Sequence, residues 1–323
     1  MDQILAIGGG WGGDGLQGTK AVTAAELLAD PRYGGNFEVE GRPVFTLDPK
    51  TGTPVKIPDK QAIVRTDTGH VFQVASKQYG IVQPAKLVNV LDDAVGKGAA
   101  IYTSAVVLDQ GAKLVITAAL PETIKIGRTG QDAVKPYLAA INSLDGSVRL
   151  MIKALSFRPI CRNTAMRAIH SEKDTEFAVR HTRNAEARLS QAMDLIKAAG
   201  FTFKRLGDTY QAMALRPFTD RDMTEMARNL LPADDEGDVP TRTVNARETM
   251  VTLFAHGKGQ REIPEIRGTM WAAYNAATEY VDHLRSTRTS GGASEEQSRL
   301  ASAWFGSGAA LKSQAFEYLQ ARI

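Results

Sequence analysis

Between Arg149 and Arg188 the chain gathers cations. Arg149 and Lys153 alternate in step with Met151 and Leu155 on what reads as a strand. They therefore project from one face, roughly 13 Å apart at the usual rise per residue. Arg158, Arg162 and Arg167 follow, then Arg180, Arg183 and Arg188. Cations at such intervals can each meet a phosphate. Met151, Leu155 and Phe157 offer apolar surface on which bases can rest. The chemistry indicated is capture of a single nucleic-acid strand without reading its sequence. The plainer account is solvated charge, with ion pairs to Glu172, Asp174, Glu176 and Glu186.

Other chemistries find less support. The histidines, His70, His170, His181, His256 and His283, show no zinc spacing with a cysteine and no His-Glu-x-x-His. Cys161 shares helical spacing with Ala165 and Ala168, which suits a buried, inert thiol better than a nucleophile. Asp92 and Asp93 are adjacent, so they leave a helix on different sides and do not form an acid/base pair. Asp234, Asp235, Glu236 and Asp238 lack calcium-loop spacing. Gly8, Gly10 and Gly13 satisfy Gly-x-Gly-x-x-Gly, the pattern of a dinucleotide loop. Gly15 and Gly18 continue the run, so no helix starts where a pyrophosphate needs one. A flexible arm over residues 1–18 is the better account. No Walker loop and no Gly-x-Ser-x-Gly elbow occurs. No catalytic residue, metal or cofactor is expected.

The elements that must position the cations begin upstream. Ala62–Val74 alternates around Asp67-Thr68-Gly69, and Ala99–Leu120 around Asp109-Gln110-Gly111; both read as hairpins. Gln83–Val95 reads as an amphipathic helix with Leu87, Val90, Leu91 and Ala94 inward. Tyr137–Ser143 and Ser147–Phe157 flank Asp145-Gly146, a strong hairpin signal because glycine takes positive φ cheaply. Pro159 closes the strand and suits the start of a helix. From Asn184 the periodicity is helical. One stripe, Leu189, Ala192, Met193 and Ile196, ends at Gly200; others cover Asp220–Leu231, Asn245–Phe254, Thr269–Leu284 and Leu311–Leu319. The expected fold is α+β: an antiparallel meander covered by helices, with a mainly helical C-terminal half. The ranges are residues 1–18 for the arm, 19–183 for the core and 184–323 for the helical region.

Asn142-Ser-Leu-Asp-Gly-Ser147, followed by Arg158-Pro-Ile-Cys-Arg-Asn-Thr164, resembles the signature of the phage/plasmid-like family known as domain of unknown function 932. Val64–Gln83 resembles that family's early strand pair, and Gly268–Ser286 and Gly306–Lys312 its C-terminal helices. The resemblance implies a phage or plasmid setting and no defined chemistry.

Net charge is +3, only mildly basic, and a single cysteine fits a reducing cytoplasm. Neither a membrane span nor a secretory leader is expected. The favoured reading is a cytoplasmic homo-oligomer that binds single-stranded nucleic acid, and anneals strands, in phage or plasmid DNA metabolism. By fold-level analogy, a meander followed by a helix with a basic strand face is similar to the core of ring-forming phage annealing proteins. The alternative is a protein-interaction or host-takeover protein. A third reading, an enzyme holding a nucleotide at Gly8–Gly13, is weaker.

Overall fold

The computed structural model describes residues 3–6, 24–30, 35–95, 101–120, 123–158, 163–165, 176–189, 192–233, 237–288 and 295–323. Eleven strands form among them: β1 (Gln3–Ala6), β2 (Val39–Leu47), β3 (Pro54–Arg65), β4 (Val71–Ser76), β5 (Ile101–Leu108), β6 (Lys113–Ala119), β7 (Ile124–Ile126), β8 (Asp132–Ser143), β9 (Leu150–Arg158), β10 (Asn163–Ala165) and β11 (Glu176–Val179). One sheet is β2-β3-β4. In the other the order is β1-β5-β6-β8-β9-β10, with β11 also on β9 and β7 on β8. The helices are α1 (Ala24–Ala29), α2 (Pro84–Val95), α3 (Ala185–Leu189), α4 (Ala192–Leu215), α5 (Asp220–Leu230), α6 (Thr241–His256), α7 (Lys258–Glu262), α8 (Met270–Glu279), α9 (Glu295–Phe305) and α10 (Ser307–Gln320). The fold is α+β with helices concentrated in the C-terminal half, as the patterning implies.

The chain divides into two compact units, neither continuous in sequence. One is Met1–Leu120, Leu138–Ala154 and Lys173–Ala199; the other is Pro121–Tyr137, Leu155–Glu172 and Gly200–Ile323. A single boundary at 183/184 does not describe this division.

In the first unit, β6 is buried from Leu114 to Ala119, as a central strand must be. β5 reverses into it through Asp109 and Gln110, both at positive φ, and Gly111. Leu87, Val90 and Leu91 of α2 are buried as expected, together with Val88, and α2 packs against β6. Tyr102 of β5 donates its hydroxyl to the Val88 carbonyl at 3.0 Å, so a buried ring keeps its polar end satisfied. β1 adds to the outer edge of β5, from Gln3 opposite Val107 to Ala6 opposite Ser104. Part of the expected arm is therefore a strand; its glycines lie outside the described residues. The far end of the β2–β3 ribbon is solvated on both faces. Phe45, Leu47 and Val55 there are 52%, 66% and 47% exposed.

The second unit has an aromatic centre. Tyr210 of α4 meets Trp271 and Tyr274 of α8, with ring centroids 4.7 and 6.2 Å away, and Phe316 of α10 edge-on at 6.1 Å. Two ion pairs are fully buried beside apolar neighbours: Lys312 with Asp282 at 2.8 Å, and Arg158 with Asp132 at 2.8 Å. Asp132 also accepts from the Trp271 indole at 2.7 Å. The Thr219–Asp222 capping box starts α5, and Thr269 caps α8.

Two local expectations fail. The residues after Pro159 do not all continue as helix: Asn163–Ala165 pairs with Arg158–Ser156 of β9. The open edge of β9 offers backbone partners, and that outweighs the helical spacing of a few small residues. Gly200 does not end its helix either, since α4 runs through it to Leu215. Tertiary burial of Phe203, Leu206 and Tyr210 beyond the glycine outweighs its propensity cost.

Candidate nucleic-acid interface

The cations read from the sequence separate into three groups. Arg149, Arg180, Arg183 and Arg188 are exposed, and all lie in the first unit. Arg149 immediately precedes β9 and Arg180 immediately follows β11. The strands are antiparallel, with Val179 opposite Leu150, so one further step of register sets Arg180 opposite Arg149. Lys153 is half-buried on β9, with Glu176 as its backbone partner across the ladder.

Arg158 is the correction. It is 2% exposed. Its guanidinium donates Nε–H to both Asp132 carboxylate oxygens at 2.8 Å. Gly259 lies so close that a Cβ there would collide with Nη1. This arginine is an interior group of the second unit and is not presented to a phosphate. The buried Asp132 carboxylate is the physical reason, since it pairs with the guanidinium at 2.8 Å and compensates its charge inside. Arg162, Arg167 and Cys161 lie outside the described residues.

Beside the exposed arginines stands a cluster that charge counting overlooks. Tyr79, just after β4, stacks on His181, just after β11, with centroids 5.0 Å apart and rings 1° from parallel. The two are held by backbone. The Gly80 amide donates to the His181 carbonyl at 3.1 Å, and Tyr79 forms an isolated bridge with Thr182. A Cβ on Gly80 would collide with the Thr182 carbonyl, so glycine is what lets the segments close. The end of β8 supplies the polar floor. Asn142 donates Nδ2–H to the Val82 carbonyl at 3.0 Å, which turns its Oδ1 toward His181 Nε2 at 2.7 Å. His181 therefore carries its proton on Nε2 and leaves Nδ1 as an acceptor. The Tyr79 hydroxyl donates to the Ser143 carbonyl at 3.1 Å.

The Asp145-Gly146 turn then braces this floor. Gly146 sits at φ +73°, and Asp145 Oδ1 accepts from the Ser147 amide at 2.9 Å. Lys113 bridges Asp109 and Asp145, the latter at 3.2 Å. Burial raises the Asp145 pKa, but the Ser147 hydrogen bonds and the Lys113 charge outweigh it and hold the carboxyl below its usual range. Gln73 of β4 donates to the Leu144 carbonyl at 2.8 Å. His181 goes the other way. Burial lowers its pKa to about 4, and the Asp145 charge opposes this only in part. The ring is neutral at pH 7.

The arrangement can hold a polyanion at its arginines and offer a rigid aromatic pair at its centre. Among the described residues no group of His, Cys, Asp and Glu is arranged to hold a metal. No described helix is long and apolar enough to cross a membrane. The convergence of Tyr79, Asn142 and His181 had one legible trace: Asn142 opens the Asn-Ser-Leu-Asp-Gly-Ser motif. Nothing in the local pattern marks His181 as its partner.

A family model described as a domain of unknown function, DUF932, matches residues 71–304. No curated protein and no solved structure matches the chain.

Proposed function

The chain belongs to the DUF932 family, a domain of unknown function, and from its own residues we propose that it binds single-stranded nucleic acid without sequence preference, as a homo-oligomer. The observation that carries this reading is the exposed trio Arg149, Arg180 and Arg183 at the end of the β9–β11 pair, beside the Tyr79–His181 stack. Cations for phosphates and a fixed aromatic surface for bases are the two ingredients of strand binding without base readout. Lys153 contributes less, being half-buried opposite Glu176. Strand annealing is the activity we infer, because flexible pairing needs bases left unread. The setting, phage or plasmid DNA metabolism, rests on sequence resemblance alone.

The test is fluorescence anisotropy of a labelled oligonucleotide at several salt concentrations. Wild type should bind with an affinity that falls steeply with salt. Arg149→Glu with Arg180→Glu should abolish binding while circular dichroism stays unchanged. Each neutralised phosphate contact should flatten the slope of log K against log salt by about 0.7. Wild type that shows no salt-dependent binding overturns the proposal.

One feature favours a second reading, a protein-interaction module. The end of the β2–β3 ribbon exposes Phe45, Leu47 and Val55 on both of its faces. An isolated two-stranded ribbon with exposed apolar side chains is poorly stabilised by itself. If Phe45→Ser with Leu47→Ser removes self-association but leaves strand binding intact, the ribbon serves assembly. If the protein never binds strands, the ribbon becomes the leading functional surface.

A further inference from the structure

We propose that the second unit carries a binding pocket for a phosphate-bearing small molecule of about nucleotide size. The pocket measures about 580 Å³, within the range that encloses small ligands and cofactors. It is walled by the start of α6, by α9 with the first residues of α10, and by the segment that follows α8. Of the described residues that line it, three are arginines, Arg242, Arg285 and Arg288, and none is a carboxylate. A pocket that collects cations without acids has a positive field to offer.

Two of its polar atoms lack partners. Arg285 Nη1 and Thr287 Oγ1 are buried, and neither has a hydrogen-bond partner among the described residues. Buried donors are nearly always satisfied, and exceptions commonly mark a bound group. Burial first, and the Arg242 charge after it, lower the Arg285 pKa, with Tyr280 opposing them. An anion seated between the two guanidiniums would relieve both the repulsion and the unmet donor. Phosphate suits this geometry because guanidinium groups meet its oxygens in pairs. Hydroxyls of Thr243 and Ser302 are also at hand.

The remaining wall is apolar. Leu231, Ala246 and Phe305 line it, and the Phe305 ring is half-buried. An anion site with an aromatic wall fits a ligand with phosphate at one end and a flat ring at the other. Inorganic phosphate alone would leave most of the volume unfilled. This inference is independent of the strand-binding reading, since every lining residue lies in the second unit.

The experiment is calorimetric titration of the intact protein with ADP and with adenosine. Saturable ADP binding is expected, at least about tenfold weaker in Arg285→Met, with adenosine giving no measurable binding. Arg149→Glu with Arg180→Glu should leave ADP binding unchanged. If Arg285→Met does not fold by circular dichroism, Arg288→Met makes the same comparison from an exposed position. Three results would overturn the proposal: no ADP binding at millimolar concentration, ADP binding equally tight in the arginine variants, or adenosine binding as well as ADP. Displacement of ADP by a single-stranded oligonucleotide would also overturn it, by assigning the pocket to a nucleic-acid phosphate.

Discussion

A neutral imidazole on a polar floor makes His181 sensitive to acid. In the unfolded chain it takes up a proton near pH 6.5, and in the folded chain only near pH 4. Between those values the unfolded state holds more protons, so stability rises with pH. The contribution is complete above pH 6.5 and lost as pH falls through the window to about 4. After allowance for partial solvent screening it is worth about 2 kcal/mol. Chemical denaturation at intervals from pH 7 to pH 4 should show that loss, and His181→Gln should flatten the curve. An equally steep curve in the variant would place the acid sensitivity elsewhere. Charge at the site is read out differently: strand binding held by guanidinium–phosphate contacts should weaken as salt rises.

At the scale of elements, β1 alters what the N-terminal segment is expected to do. Its four residues cover the outer edge of β5. Removing residues 1–18 should preserve the fold, since the core strands are elsewhere, but it exposes a row of unpaired backbone groups. Light scattering should then show concentration-dependent association beyond the intact protein's own assembly; a monodisperse variant whose mass matches the intact assembly would show that β1 protects nothing. Much of this architecture was legible. The hairpins at Asp109–Gly111 and Asp145-Gly146 and helix α2 follow from local signals of turn chemistry and period. The failures differ in cause. Asn163–Ala165 turns back on Arg158–Ser156, five to nine residues earlier, where a few small residues at helical spacing mislead; the stretch through Gly200 is decided by burial of Tyr210 against Trp271, a partner distant in sequence. The site divides the same way. The exposure of Arg149, Arg180 and Arg183 agrees with a basic surface. Arg158, in the same run, was pulled inside by Asp132, and spacing alone does not distinguish them.

At the scale of the molecule, each compact unit draws on three separated stretches of chain, so a cut between them is costly. A fragment ending at Arg183 would lack residues 184–199 of the first unit and would carry 121–137 and 155–172 of the second without their partners. We expect it to melt without a cooperative transition in thermal circular dichroism, where the whole chain gives one. A sharp, reversible melt of the fragment would refute that expectation. The same interleaving has a consequence in time. The Gly80 amide waits for the carbonyl of His181, about a hundred residues later in the chain. At synthesis rates of about 5–20 residues per second, that is roughly 5–20 s on the ribosome. For that interval the Tyr79 ring has no imidazole to cover it, so the newborn chain exposes its aromatic surface to the cell before it can hold anything there.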